Sequence, residues 1–369
     1  MRNCLFWKGL VLAIIILFIG MNIIPSATSG LTNYKNIITV KDEPDKPELT
    51  HEKNIITVDD EPGDADFTSI KEAVNYSSPG DTIKVYSGTY LEQGIHIEND
   101  NIALLGISHE LGEGDDSGNP FIKGNGTIAA IWVGASHVIV SNFTIKNPYN
   151  HTYYHTGGIY VGKDYPPFEQ EDIIISDCII YNTTWGIYDT DAENIRIINN
   201  NISHCRHGIN IDFSRNFFTT GNVISDCRDS GIHLYGPIFN RNFSGNRISN
   251  CEFGIDFGGE DNIFYGNDFE NCSLGIRFSG DGNIITKNNF KNYSQEYSPT
   301  IGSWFYKFFL FPSKNSWIGN YWDTWKGIGP KIILGSYVFG WRLIPNWPLF
   351  IQWFDFDWKP AKEPYDITI

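Results

Sequence analysis

The sequence is short of charge and short of methionine, and after residue 21 it has no long apolar run. Charged residues make up 19%, and 27 basic residues face 43 acidic ones, for a formal charge of −16. So acidic a chain repels nucleic acid and anionic headgroups and can attract cations; its ordinary meaning is solubility outside the cell. Both methionines, Met1 and Met21, lie in the first 21 positions, so the remainder has no thioether to offer a soft metal. No later run approaches the ~20 residues that span a bilayer. Nothing in the repetitive part is long or periodic enough for a helix in each unit, which excludes helical and leucine-rich solenoids. What is abundant is glycine (36), asparagine, isoleucine and aromatics, the profile of a β-rich solenoid with many tight turns.

Arg2, Lys8, the apolar stretch Leu10 to Met21 and the small residues Ala27-Thr28-Ser29 read as an export signal over 1–29, with an uncleaved anchor as the alternative. A secreted or cell-surface location follows, with membrane attachment only through this segment. Residues 30–63 read as a linker. In it Lys35-Asn36-Ile37-Ile38-Thr39-Val40 recurs 18 residues on as Lys53-Asn54-Ile55-Ile56-Thr57-Val58, each copy running into an acidic turn, Asp42-Glu43-Pro44 and Asp60-Glu61-Pro62. Residues 64–100 read as an N-terminal cap. Phe67, Ile70, Ala73 and Val74 predict a short helix behind Asp66 or Thr68 as N-cap, covering an otherwise open sheet edge.

The repeats occupy 101–300. Gly-Ile pairs begin at Gly158, Gly186, Gly208, Gly231, Gly254 and Gly275, with gaps of 28, 22, 23, 23 and 21 residues. Cys178, Cys205, Cys227, Cys251 and Cys272 keep that beat, as do Asn222, Asn246, Asn267 and Asn288. A fixed period near 22 with several short alternating stretches per unit predicts an all-β fold, a single-stranded right-handed parallel β-helix. Its asparagines are expected to bond coil to coil. Each glycine is expected to permit a sharp bend into its strand, and the five cysteines to form one buried column of free thiols. Residues 301–369 hold eight of the 11 tryptophans and read as an aromatic cap on the open end.

Asp66-Phe67-Thr68-Ser69-Ile70-Lys71-Glu72-Ala73-Val74, Pro79-Gly80-Asp81-Thr82-Ile83-Lys84-Val85 and Gly88-Thr89-Tyr90 resemble the opening of NosD-type β-helix proteins. The coils resemble the repeats of the pectin lyase-like superfamily. Gly319-Asn320-Tyr321-Trp322-Asp323 resembles the closing segment common in exported archaeal members. The resemblance implies periplasmic copper handling for the family, and carbohydrate binding or hydrolysis for the wider group.

Alternation along each strand turns the residue after Gly-Ile outward, predicting an exposed column Tyr160, Tyr188, Asn210, His233, Asp256, Arg277. A second column runs Gly162, Thr190, Asp212, Tyr235, Gly258, Ser279. Asp212, His233 and Asp256 are the candidate catalytic residues; Tyr160, Tyr188, Asn210, Tyr235 and Arg277 are candidates for binding. Asp212 and Asp256 fall two coils apart, roughly 10 Å, near the upper limit for an inverting hydrolase pair. The clustered Asp pairs and Arg-x-Lys strand of polygalacturonases are missing, and so is a pectate-lyase calcium cluster. His204 and His207, flanking Cys205, are the candidate metal ligands, but no cofactor is expected. The leading expectation is a non-catalytic exported protein that binds carbohydrate or an envelope partner. A polysaccharide-degrading enzyme and a copper-handling accessory protein are the alternatives.

Overall fold

The computed structural model describes residues 54–367 apart from 113, 149–155, 164–169, 237, 294–296, 302–314 and 340–348. The signal segment and most of the linker lie outside the described residues. Within them the chain winds a right-handed parallel β-helix whose coils contribute to three long sheets. A parallel solenoid buries an inward residue from every strand, and the register shows three stacked columns. In the first sheet Val140, Ile175, Ile197, Thr219, Phe243, Phe264, Ile285 and Trp317 follow one another. The second sheet stacks Ile180, Ile202, Ile224, Ile248, Phe269, Phe290 and Trp322. The third runs Ile95, Ile131, Ile159, Ile187, Ile209, Ile232, Ile255 and Ile276. Branched aliphatics fill the middle; aromatics take over toward the C-terminal end, where Phe290 stacks on Trp322 at 4.2 Å.

Turns between the first and second sheets explain the asparagine beat. A residue in the left-handed region, such as Asn199, Gly221, Gly245, Gly266, Lys287 or Gly319, is followed by the ladder asparagine. Asn222 donates its backbone N–H and its Nδ2 to Asn246 Oδ1, at 3.2 and 3.0 Å, and its Nδ2 also to the Ile197 carbonyl. The pattern repeats through Asn246, Asn267 and Asn288 to Asn320. There Asp357 closes the ladder. Fully buried, its carboxylate accepts from the backbone N–H of Gly319, Asn320 and Lys359, from Asn320 Nδ2 and from Trp322 Nε1. Asp357 belongs to a hairpin in which Lys331–Phe339 and Leu349–Asp357 pair antiparallel, so the tail does end the solenoid.

Four expectations need correction. The helix spans Ile70–Tyr76 with Ser69 as N-cap, its side chain accepting from Glu72 N–H, because Asp66 is held by Thr57 instead. The folded body starts at Ile55–Val58, inside the segment read as linker, since that second copy pairs in parallel with Thr82–Val85. Cys178 does not share the column of the other cysteines. It stands in the asparagine ladder, its N–H donating to Asn200 Oδ1, while Thr183 heads the column with its hydroxyl 3.3 Å from Cys205 Sγ. The glycines before isoleucine serve close packing rather than a bend. A Cβ on Gly186 would meet Ile202 Cγ2 at 2.4 Å and the Gly208 carbonyl at 2.5 Å. All five cysteines are free and buried.

Candidate functional site

The outer column of the third sheet has the predicted register. Tyr160, Tyr188, Asn210, His233, Asp256 and Arg277 stand side by side on successive strands. It extends to His96 and Trp132, which have no preceding Gly-Ile to mark them and were missed. In its N-terminal half rings pack on rings: His96 on Trp132 at 4.9 Å, Trp132 edge-on to Tyr160 at 4.9 Å, and Tyr160 on Tyr188 at 5.3 Å.

Its C-terminal half is one polar chain. Tyr188 Oη donates to Asp212 Oδ2 at 2.9 Å and Asn210 Nδ2 donates to Asp212 Oδ1 at 2.9 Å. His233 Nδ1 lies 2.8 Å from Asn210 Oδ1, and its Nε2 lies 3.7 Å from Asp256 Oδ2. Arg277 grips the Asp256 carboxylate with Nε, 2.6 Å from Oδ1, and with Nη2 on Oδ2, while its guanidinium lies over the Phe253 ring at 3.6 Å. These side chains face outward but shield one another, so the expectation of an exposed column holds only in part. Tyr160 is 2% exposed and Asp256 is buried beneath its partners. Burial holds the Asp212 carboxyl above, and the His233 imidazole below, its ordinary range. Burial also pushes the His207 ring down to about 4.

Beside this chain an aromatic pair stands in solvent. Tyr235, opposite Asp212 on the next coil, is 59% exposed, and Phe213 packs edge-on to it at 5.4 Å, 51% exposed. Phe213 has φ +57, a left-handed backbone that costs a bulky residue of order 1 kcal/mol or more. Asp191 and Asp261 adopt the same conformation in their own turns, where a short polar side chain makes it cheap. That contrast was visible in the sequence but was not used. A buried acid also went unnoticed. Asp189 points inward between Val161 and Ile211, between the outward Tyr188 and Thr190.

His204 and His207 are not brought together as one pair of ligands. His204 is exposed in a left-handed turn, whereas His207 is buried and tilts against His233 with ring centroids 4.9 Å apart. Gly258 and Ser279 pair in the second column as expected.

Residues 74–340 match the family described as periplasmic copper-binding protein (NosD). No curated protein matches the chain. Among solved structures it is similar to a GH136 lacto-N-biosidase from Eubacterium ramulus, 14% identical with a TM-score of 0.50, over 72% of this chain and 63% of that one. The chain therefore spans less than two thirds of that enzyme, and the likeness shows the fold. A pectin methylesterase in complex with a hexasaccharide is 13% identical over 64% of this chain and 89% of that one, with a TM-score of 0.46. The A-module of a mannuronan C-5 epimerase from Azotobacter vinelandii is 15% identical over 60% and 73%, with a TM-score of 0.42.

The family description raises copper, which prefers imidazole, thiolate and thioether donors. Among the described residues, the groups of three or more ligating side chains with mutually close donor atoms consist of carboxylates alone. The stacked pair His207 and His233 belongs to neither group, and the cysteines are sealed in the core. The residues do not fit a copper centre.

Proposed function

The chain belongs to the NosD family of right-handed β-helix proteins, and on that premise we propose that it is an exported, non-catalytic carbohydrate-binding protein. Its ligand lies across the third sheet over Asn210, Asp212, His233, Asp256 and Arg277, with Phe213 and Tyr235 as stacking platform. The observation that carries this reading is Phe213. A bulky residue is kept in a strained backbone and half in water, where it buries little of its own surface. Such strain persists where the surroundings impose it and is concentrated at ligand sites. Beside it, fixed donors and acceptors present the hydroxyl-matching chemistry that sugar recognition uses, and the ring faces present apolar surface for a pyranose.

A polysaccharide-degrading enzyme is the second reading, favoured by Asp212, whose buried and raised carboxyl bonded to Tyr188 resembles a general acid. Against it, Asp256 is clamped by Arg277 and is not free to act as base or nucleophile. A glycan array probed with the purified chain, followed by reducing-end assays on every retained glycan, separates the two. Retention without new reducing ends is expected. Turnover on a retained glycan would replace this reading with the enzyme, and an array with no retained glycan would sink both.

A further inference from the structure

The N-terminal end of the solenoid holds a second feature that carbohydrate binding does not use. Directly after the strand Ile55–Val58 come Asp59, Asp60 and Glu61, the acidic turn of the duplicated segment. The loop that holds Glu110 and Asp116, pinned by the bridge between His109 and Ser117, lies against it. Donor oxygens of Asp59, Asp60 and Glu61 all lie within 4.8 Å of one another, and so do those of Glu61, Glu110 and Asp116. Carboxylates at that spacing repel one another, and among the described residues none of the five takes part in an ion pair that would relieve them.

The burial pattern makes this more than a solvated acidic patch. Asp59 is 1% exposed, yet its Oδ1 has no hydrogen-bond partner. Asp60 Oδ1 and Glu110 Oε2 are likewise buried at the atom level and unpartnered. The other oxygens are engaged, Asp60 Oδ2 by Thr89 N–H at 2.9 Å and Glu110 Oε1 by Leu111 N–H at 3.2 Å. Three buried acceptors with nothing to accept from, in one cluster, leave a large desolvation cost unless a cation occupies the space between them.

We propose that these five carboxylates bind a hard divalent cation, calcium, which ties the first strand to the Glu110 loop. The donors are all oxygen, the class that suits calcium or magnesium and not copper or zinc. Calcium is favoured because it accepts many carboxylates in flexible geometry, whereas magnesium keeps several waters. Without the cation the cluster holds its protons. Burial, and then Glu110, pushes Asp59 up to about 6, and the Asp60 hydrogen bond pushes Glu61 up to about 7. Calcium binding releases those protons.

The test uses the full chain stripped with EDTA. Isothermal titration with CaCl2 against a background of excess MgCl2 should give saturable heat, with Kd on the order of 10⁻⁴ to 10⁻³ M, as in extracellular modules. Millimolar calcium should raise Tm by about 2 °C or more. Asp59→Asn, Glu110→Gln and Glu61→Gln should each weaken binding at least about tenfold. Asp177→Asn, at an exposed turn carboxylate outside the cluster, should bind as the parent does. Glu61 is exposed, so Glu61→Gln keeps the test open should Asp59→Asn fail to fold. No heat and no Tm change with calcium would overturn the proposal, as would undiminished binding in Glu61→Gln and Glu110→Gln.

Discussion

Replacing Asp189 by valine should stabilise the protein, and by more at high pH than at low. Asp189 occupies an inward position whose neighbours on the adjoining coils are Val161 and Ile211. It is 0% exposed, and neither carboxylate oxygen has a hydrogen-bond partner; the nearby Ser214 hydroxyl donates to the Asp212 carbonyl at 3.2 Å. Burial raises its carboxyl from the ordinary 3.8 to about 7. Between those values the folded chain holds a proton that the unfolded chain has released. Stability from this group is therefore complete below about pH 4, falls by ~1.4 kcal/mol per unit as pH rises, and levels off above about pH 7. The full shift corresponds to roughly 4 kcal/mol. Valine removes that term and adds apolar contact, so Asp189→Val should gain a few kcal/mol at about pH 8. At about pH 5 the gain should be ~2–3 kcal/mol smaller. Urea unfolding of parent and variant at both pH values gives the difference, and titrations common to both proteins cancel. Equal gains at the two pH values, or a loss at about pH 8, would refute the reasoning.

The ladder closure predicts that Asp357→Ala costs about 3–5 kcal/mol, since five donors lose a buried charged acceptor; Asp357→Asn should cost less, and urea unfolding measures both. The thiols of Cys227 and Cys251 should react with a maleimide only after denaturation, because both are buried; rapid labelling of the native protein would contradict the core assignment. Ile232→Ala should cost roughly 2–5 kcal/mol and its outward neighbour His233→Ala less than about 1, as thermal melts would show.

The fold was legible because a solenoid repeats its constraints. Gly-Ile spacing placed every strand of the third sheet from Gly158 onward, and alternation put Tyr188, Asn210, His233 and Asp256 in one row. Before Gly158 the spacing stretches, with Ile95, Ile131 and Ile159 stacked at 36 and 28 residues, so His96 and Trp132 escaped. Parity also placed Asp189 inside, but an acid in an apolar column runs against expectation and was passed over. Cys178 misled because its 27-residue separation from Cys205 was counted as part of the beat, when it marks a different turn. The carboxylate cluster was illegible for another reason. Asp59 and Glu110 are 51 residues apart in the chain, and only the loop's return to the first strand brings them together. Exposure could not be read from alternation alone. Facing outward is a property of the strand, whereas the cover over Asp256 comes from the neighbouring coils.

The central claim is that the face bearing Phe213, Tyr235, Asp212 and Asp256 binds carbohydrate by contacts spread over several side chains. Its most direct test is the affinity, by isothermal titration, of one array-selected oligosaccharide for the parent, Phe213→Ala, Tyr235→Ala, Asp212→Asn and Asp256→Asn. Each substitution should weaken binding by about three- to thirtyfold, with the fold intact by circular dichroism. Unchanged affinity in all four variants would place the ligand elsewhere and contradict the account.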